Sequence, residues 1–175
     1  MVKERQTPRA ERTGTRGARG PDRPAATDAG WLAEEGGAVF QKILLAVDGS
    51  EHSEKAVPVA GDLGRKYRCE VVVLHVREHE LTWGGDVDVE TPEEAMDLVD
   101  GVVRRLKDEG TSVRGEVVRV PLGQTSRAIL DMCKDEGAEL IVMGTRGLSD
   151  WGRLLMGSVA HKVVHLAEVP VLVVR

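Results

Sequence analysis

Short apolar runs alternate along this chain with longer stretches whose apolar residues recur every three or four positions. The first run, Lys42 to Val47 (KILLAV), reads as a buried strand, and Asp48-Gly49-Ser50 as the turn after it. Ser50 offers a side-chain oxygen where a helix needs a cap, and Glu51 sets a negative charge against the positive end of the helix dipole. The helix predicted from there runs to about Lys66. Glu70 to Val76 (EVVVLHV) is a second strand, followed by a polar loop containing Trp83, Gly84 and Gly85. Thr91-Pro92-Glu93-Glu94 supplies an N-cap, a proline at the first helical position and a capping-box acid three residues on. Met96, Val99, Val103 and Leu106 then recur at helical spacing until Gly110 ends the element. Val113 to Val120 is a third strand, interrupted by Arg114, Gly115, Glu116 and Arg119. Gln124 to Glu136 is a helix with Ala128, Ile129, Met132 and Cys133 along one side. Ala138 to Met143 is the fourth strand, Gly157 to Ala167 the last helix, and Val169 to Val174 the fifth strand, with Pro170 at its start.

This order is β-α-β-α-β-α-β-α-β. Continuous apolar strands alternating with amphipathic helices predict an α/β fold, a parallel sheet covered by helices on both faces. The pattern begins near residue 38, so the expected division is a disordered tail over 1–37 and one domain over 38–175. No internal repeat is visible. In open sheets of this kind ligands bind beyond the carboxyl ends of the strands, where the strand order reverses. With the five strands ordered 3-2-1-4-5, strands one and four are neighbours across that point. The turns after them, Asp48-Gly49-Ser50 and Gly144-Thr145-Arg146-Gly147, then face one crevice.

Charge narrows the partners. Residues 1–25 carry seven Lys or Arg against three acids, and the remainder 17 against 26. An acidic domain argues against a general grip on nucleic acid, which requires a basic face. No apolar run approaches the roughly 20 residues of a membrane span, and the first 30 residues hold no apolar block of the secretory kind. Cys69 and Cys133 lie far apart and form neither a CxxC pair nor a disulfide framework. A reducing cytoplasm is therefore the expected compartment.

The strongest chemical signal is Gly144 and Gly147 followed, nine residues after Gly147, by Gly157-Ser158. A strand ending in a glycine-rich turn that feeds a helix N-terminus is a means of holding phosphate, because glycine admits close backbone approach and unpaired N–H groups face the anion. At this point the chain resembles the universal stress protein family over about residues 40–175, through the element G-x2-G-x9-G-[ST]. The resemblance implies a fold of the adenine nucleotide alpha hydrolase-like kind and an ATP site, with Mg²⁺ carried on the nucleotide. It implies that Gly144 and Gly147 approach the phosphates and that Gly157 and Ser158 donate backbone and hydroxyl hydrogen bonds to them. Asp48 looks like the acid meeting the ribose or base side, although a plain helix-capping role explains it equally well. Val76 would offer its backbone to the adenine edge, with Ala46, Met143 and Val159 as apolar lining. A β-branched residue at Gly144 or Gly157 would fill the phosphate's space and oppose any positive φ there.

Competing motifs fail. No GxxxxGK[ST] or GxSxG is present, and His161 and His165 lack the glutamate of HExxH. The expected function is an ATP-binding regulatory module of the stress response, acting through partners rather than as an enzyme, with no catalytic residue and no dedicated metal site. The alternatives are a slow ATP hydrolase and a nucleotide-independent scaffold. A homodimer through the last strand is also expected. That strand presents an uncharged edge until Arg175, whereas Arg114, Gly115, Glu116 and Arg119 discourage pairing at strand three.

Overall fold

A computed structural model describes residues 3–6, 39–145 and 156–175. Its strands and helices follow the order β1 (Lys3–Gln6), β2 (Lys42–Ala46), α1 (Glu51–Tyr67), β3 (Glu70–Thr82), β4 (Gly85–Asp88), α2 (Pro92–Asp108), β5 (Val113–Pro121), α3 (Thr125–Glu136), β6 (Leu140–Gly144), α4 (Ser158–Leu166) and β7 (Val171–Val174). The sheet runs β1-β5-β3-β2-β6-β7. Its five central and distal strands, β5-β3-β2-β6-β7, are parallel and stand in the expected order 3-2-1-4-5.

The continuous apolar runs sort by alternate residues onto two cores. Ile43 and Leu45 of β2, with Val71 and Val73 of β3, pack against Ala56, Val57 and Ala60 of α1 and Val99, Val103 and Leu106 of α2. Leu44 and Ala46, with Val72 and Leu74, face Ile129, Met132 and Cys133 of α3 and Ala160 and Val163 of α4. A strand buried on both faces loses its period-2 polarity, which is why these strands read as unbroken apolar runs. Both cysteines are buried in these cores, and burial pushes their thiols up, away from the reactive thiolate. Among the described residues no helix is long and apolar enough to cross a membrane.

Two features depart from expectation. The second strand does not stop at Val76: it continues to Thr82 and folds back antiparallel as β4, so Trp83 and Gly84 form a hairpin turn rather than a free loop. Ion pairs replace apolar contacts in this extension. Arg77 is 1% exposed and donates to Asp88 and to the Glu90 carbonyl, each at 3.1 Å, while Arg119 donates to Asp86 and Asp88, each at 2.7 Å. The second departure is β1. Lys3–Gln6 lies within the stretch expected to be a disordered tail, yet it pairs in parallel with Glu116–Arg119 of β5, the edge whose charges were expected to discourage pairing. Backbone N–H and C=O groups at an open edge invite a partner strand whatever the side chains, and this edge lies within reach of the chain's own N-terminal segment.

At the amino ends of the strands a charged cluster ties α3 to the sheet. Lys42 lies 3.2 Å from Glu136 and 3.5 Å from Glu70, and Arg114 pairs with Glu136 and, at 3.3 Å, with Glu70. Burial pushes the Glu136 carboxyl up, but Lys42 and Arg114 outweigh it and hold the group below its usual range. A depressed folded-state value contributes stability above the unfolded carboxylate pKa of about 4.3, and that contribution is lost as pH falls through the folded value. Urea midpoints measured from neutral pH down to about pH 3 should therefore fall, and Glu136→Gln should flatten part of that fall; an unaltered slope would remove Glu136 from the account.

Candidate functional site

The turn after β2 is built locally. Ser50 caps α1 by accepting from Ser53 N–H at 3.2 Å, and Asp48 Oδ1 accepts from Ser50 N–H at 3.0 Å. Ser53 Oγ donates to Ser50 O at 3.1 Å and lies 3.4 Å from Asp48 N. Asp48 therefore does shape the turn, but through one carboxylate oxygen; among the described residues Oδ2 has no protein partner and stays available to a ligand.

The turn after β6 closes on itself. Thr145 N–H donates to Val174 O at 2.9 Å, and Gly157 N–H donates to Thr145 O at 2.8 Å. This clasp brings the two ends of the glycine motif together at the head of α4. Gly157 is the N-cap of α4 and has no side chain to supply a capping bond. The N–H groups of Ser158, Val159 and Ala160 at the first turn thus need another acceptor. Gly147, with Arg146, Trp151 and Arg153, lies outside the described residues.

These turns flank one open cleft of about 630 Å³ at the carboxyl ends of β2, β3 and β6. Eight of the nine expected residues line it: Ala46, Asp48, Val76, Met143, Gly144, Gly157, Ser158 and Val159. The sequence reading missed Ser53, Leu74, Thr125 and Ile129, which also line it. Leu74 and Ile129 read only as core, and Thr125 lies on a helix whose approach to the cleft no local pattern announces. The lining is mainly apolar, a character suited to a small organic ligand with a few polar anchors. Asp48 is its single carboxylate among the described residues, which also hold no group of three or more metal-ligating side chains.

Two of the expected glycines are engaged by the protein itself. A Cβ at Gly144 would stand 2.7 Å from His52 C and 2.8 Å from Ser53 N, so the missing side chain admits the backbone of α1. Gly157 spends its N–H on Thr145, and its φ of −59° is open to any residue; neither glycine has a positive φ. His75 is 5% exposed, with Nδ1 2.8 Å from Val47 O and Nε2 2.6 Å from Glu90. The carbonyl fixes a proton on Nδ1. His161 and His165 are exposed and stack on each other with ring centres 5.4 Å apart.

The model of the universal stress protein family matches residues 40–175. Universal stress protein YxiE of Bacillus subtilis is 32% identical over 151 residues, covering 78% of this chain and all of the relative. A universal stress protein of Thermus aquaticus is 36% identical over 140 residues, with the same coverage. Among solved structures, protein MJ0577 of Methanocaldococcus jannaschii superposes with a TM-score of 0.64 at 27% identity, covering 77% of this chain and 95% of that one.

The Gly144 contact yields a direct test. Backbone atoms of α1 cannot swing aside as a side-chain tip would, so Gly144→Ala should lower stability by about 1–3 kcal/mol, the usual range for overpacking. A melting temperature equal to that of the unaltered protein would show that the two elements can separate freely.

Proposed function

The chain belongs to the universal stress protein family, and on that premise we propose that its cleft binds ATP and that the protein acts as a regulatory module through nucleotide-dependent interactions with partners. The observation that carries this reading is the uncapped head of α4 beside an apolar slot at the switch point between β2 and β6. The base suits the slot formed by Ala46, Leu74, Val76, Ile129, Met143 and Val159. The phosphates suit the first-turn N–H groups of α4 and the exposed Ser158 hydroxyl, where the helix dipole favours negative charge. Asp48 Oδ2 is available to the ribose, or to Mg²⁺ carried by the nucleotide. Two proteins of the same fold support an adenine nucleotide: one universal stress protein solved in complex with cAMP, and one from Archaeoglobus fulgidus in complex with dAMP, at 23% and 22% identity.

We read the site as binding rather than catalytic. Phosphoryl transfer needs a nucleophile held in line and charge stabilisation around it. Among the described lining residues there is neither Lys nor Arg, and Asp48 is the single carboxylate. Mass spectrometry of ligand released from the purified protein should find adenine nucleotide, and calorimetry should find ATP bound in preference to GTP. Gly157→Val fits the backbone at φ −59° and adds bulk at the head of α4, so it should weaken ATP at least tenfold with the circular dichroism spectrum unchanged. Undiminished affinity would sink the site.

We further propose a homodimer through β7. β5 carries β1 on its outer side, whereas β7 has no strand beyond it among the described residues, and Leu172 on it is 38% exposed. An apolar open edge invites pairing, and a second copy about a two-fold axis closes it. Light scattering should give a dimer for the unaltered chain and a monomer for Leu172→Lys; a dimer that survives the charge would place the interface elsewhere.

A further inference from the structure

The row of side chains that β3 turns toward α3 changes character just past the cleft. Leu74 is buried and Val76 lines the slot, but the next residue on that face, Glu78, is a carboxylate. Its Oε1 accepts two hydrogen bonds from the start of α3, from Gly123 N–H at 2.9 Å and from the Thr125 hydroxyl at 2.6 Å. The N-cap of α3, Gln124, makes no capping bond of its own, and Glu78 sets a negative charge near the positive end of the helix. That charge alone would account for Glu78. It does not require the bond to Thr125, which fixes the orientation of a hydroxyl on the wall of the cleft.

A threonine hydroxyl has one proton to donate and two lone pairs to accept with. The Thr125 proton is committed to a carboxylate, so toward anything entering the cleft this hydroxyl can only accept. Thr125 stands one helical turn above Ile129 on the same face of α3, at the mouth of the apolar slot. The other polar side chains of the lining are differently engaged. Ser53 Oγ donates to Ser50 O, and Asp48 and Ser158 stand on the turns assigned to ribose and phosphate. Among the described lining residues, Thr125 is thus the polar side chain left to meet the edge of a base.

We infer that Thr125, oriented by Glu78, selects the base: it accepts a hydrogen bond from an exocyclic 6-amino group and rejects a 6-oxo group, which would meet it lone pair against lone pair. The inference rests on the reading that the cleft holds a nucleotide with its base in the apolar slot. Thr125 touches the ligand; Glu78 is a positioning residue that acts through it. The nearby charge of Glu78 adds to the rejection of an oxo group.

The experiment measures dissociation constants by calorimetry for ATP, for purine riboside 5′-triphosphate, which carries hydrogen in place of the 6-amino group, and for ITP, which carries oxygen there. The unaltered protein should prefer ATP to purine riboside triphosphate by about tenfold, the upper range of one net hydrogen bond. Thr125→Val should bring the two within about twofold by weakening ATP alone, and Thr125→Ser should keep the preference. Should the valine variant not fold, Thr125→Ala carries the same expectation with a better helix former. Glu78→Ala releases the hydroxyl to rotate and donate, so ITP should gain on ATP, a change that a merely structural role for Glu78 would not produce. Equal affinity of the unaltered protein for ATP and purine riboside triphosphate overturns the inference, and so does an unchanged ratio in a folded Thr125→Val or Thr125→Ala variant. Either result leaves nucleotide binding standing, whereas no binding of any triphosphate strikes the cleft reading itself.

Discussion

The carboxyl end of β6 lies against the first turn of α1 so closely that an added Cβ at residue 144 would fall within 3 Å of three backbone atoms there. Much of the architecture around the cleft depends on that contact. β6 neighbours β2 in the sheet, and α1 begins directly after the turn that follows β2. Pressing β6 onto α1 therefore brings the two turns together in space, although almost a hundred residues separate them in the chain. Ser50 and Ser53 then secure the helix side of the joint with short-range hydrogen bonds. The crevice follows from the strand order, but its width is set by one missing methyl group.

Most of the framework was legible in the amino-acid order, and the reasons are local. β2 and β6 are apolar throughout because both their faces are buried, and the capping box of α2 is complete within four residues, with Thr91 and Glu94 bonded reciprocally. What was not legible depends on partners distant in sequence. Arg77 through Thr82 read as loop because their polarity hides the strand; Arg77 is buried with Asp88 and the Glu90 carbonyl receiving it. Glu78 and Thr125 lie 47 positions apart, and neither residue alone hints at the other. Gly144 is the instructive case. The requirement for glycine was visible, and the structure adds a cause that the sequence did not announce, the first turn of α1 packed against residue 144.

The two edges of the sheet are handled differently. On the β5 side four residues near the N-terminus satisfy the backbone groups of the edge, and the strand they cover is rich in charge. On the β7 side the strand is short, uncharged over Val171–Val174 and partly exposed. Among the described residues the charged margin is covered by the chain's own strand and the apolar margin is not, and the latter is the one adjoining α4 and the cleft. Contact at that margin and occupancy of the cleft thus share the same short stretch of chain, from Thr145 to Val174, through the bond of Thr145 N–H to Val174 O.

The hydrogen bond from Gly157 to Thr145 has a consequence for how such a site can change over generations. It ties the head of α4 directly to the end of β6, so the two keep their places through a bond of their own. Closing a longer loop on fixed ends costs only about 0.6 kcal/mol per doubling in length. Insertions, deletions and exchanges of residues between the pinned ends can therefore accumulate without disturbing the sheet. The fold can in this way be inherited nearly intact while the grip on the ligand diverges from one descendant to the next.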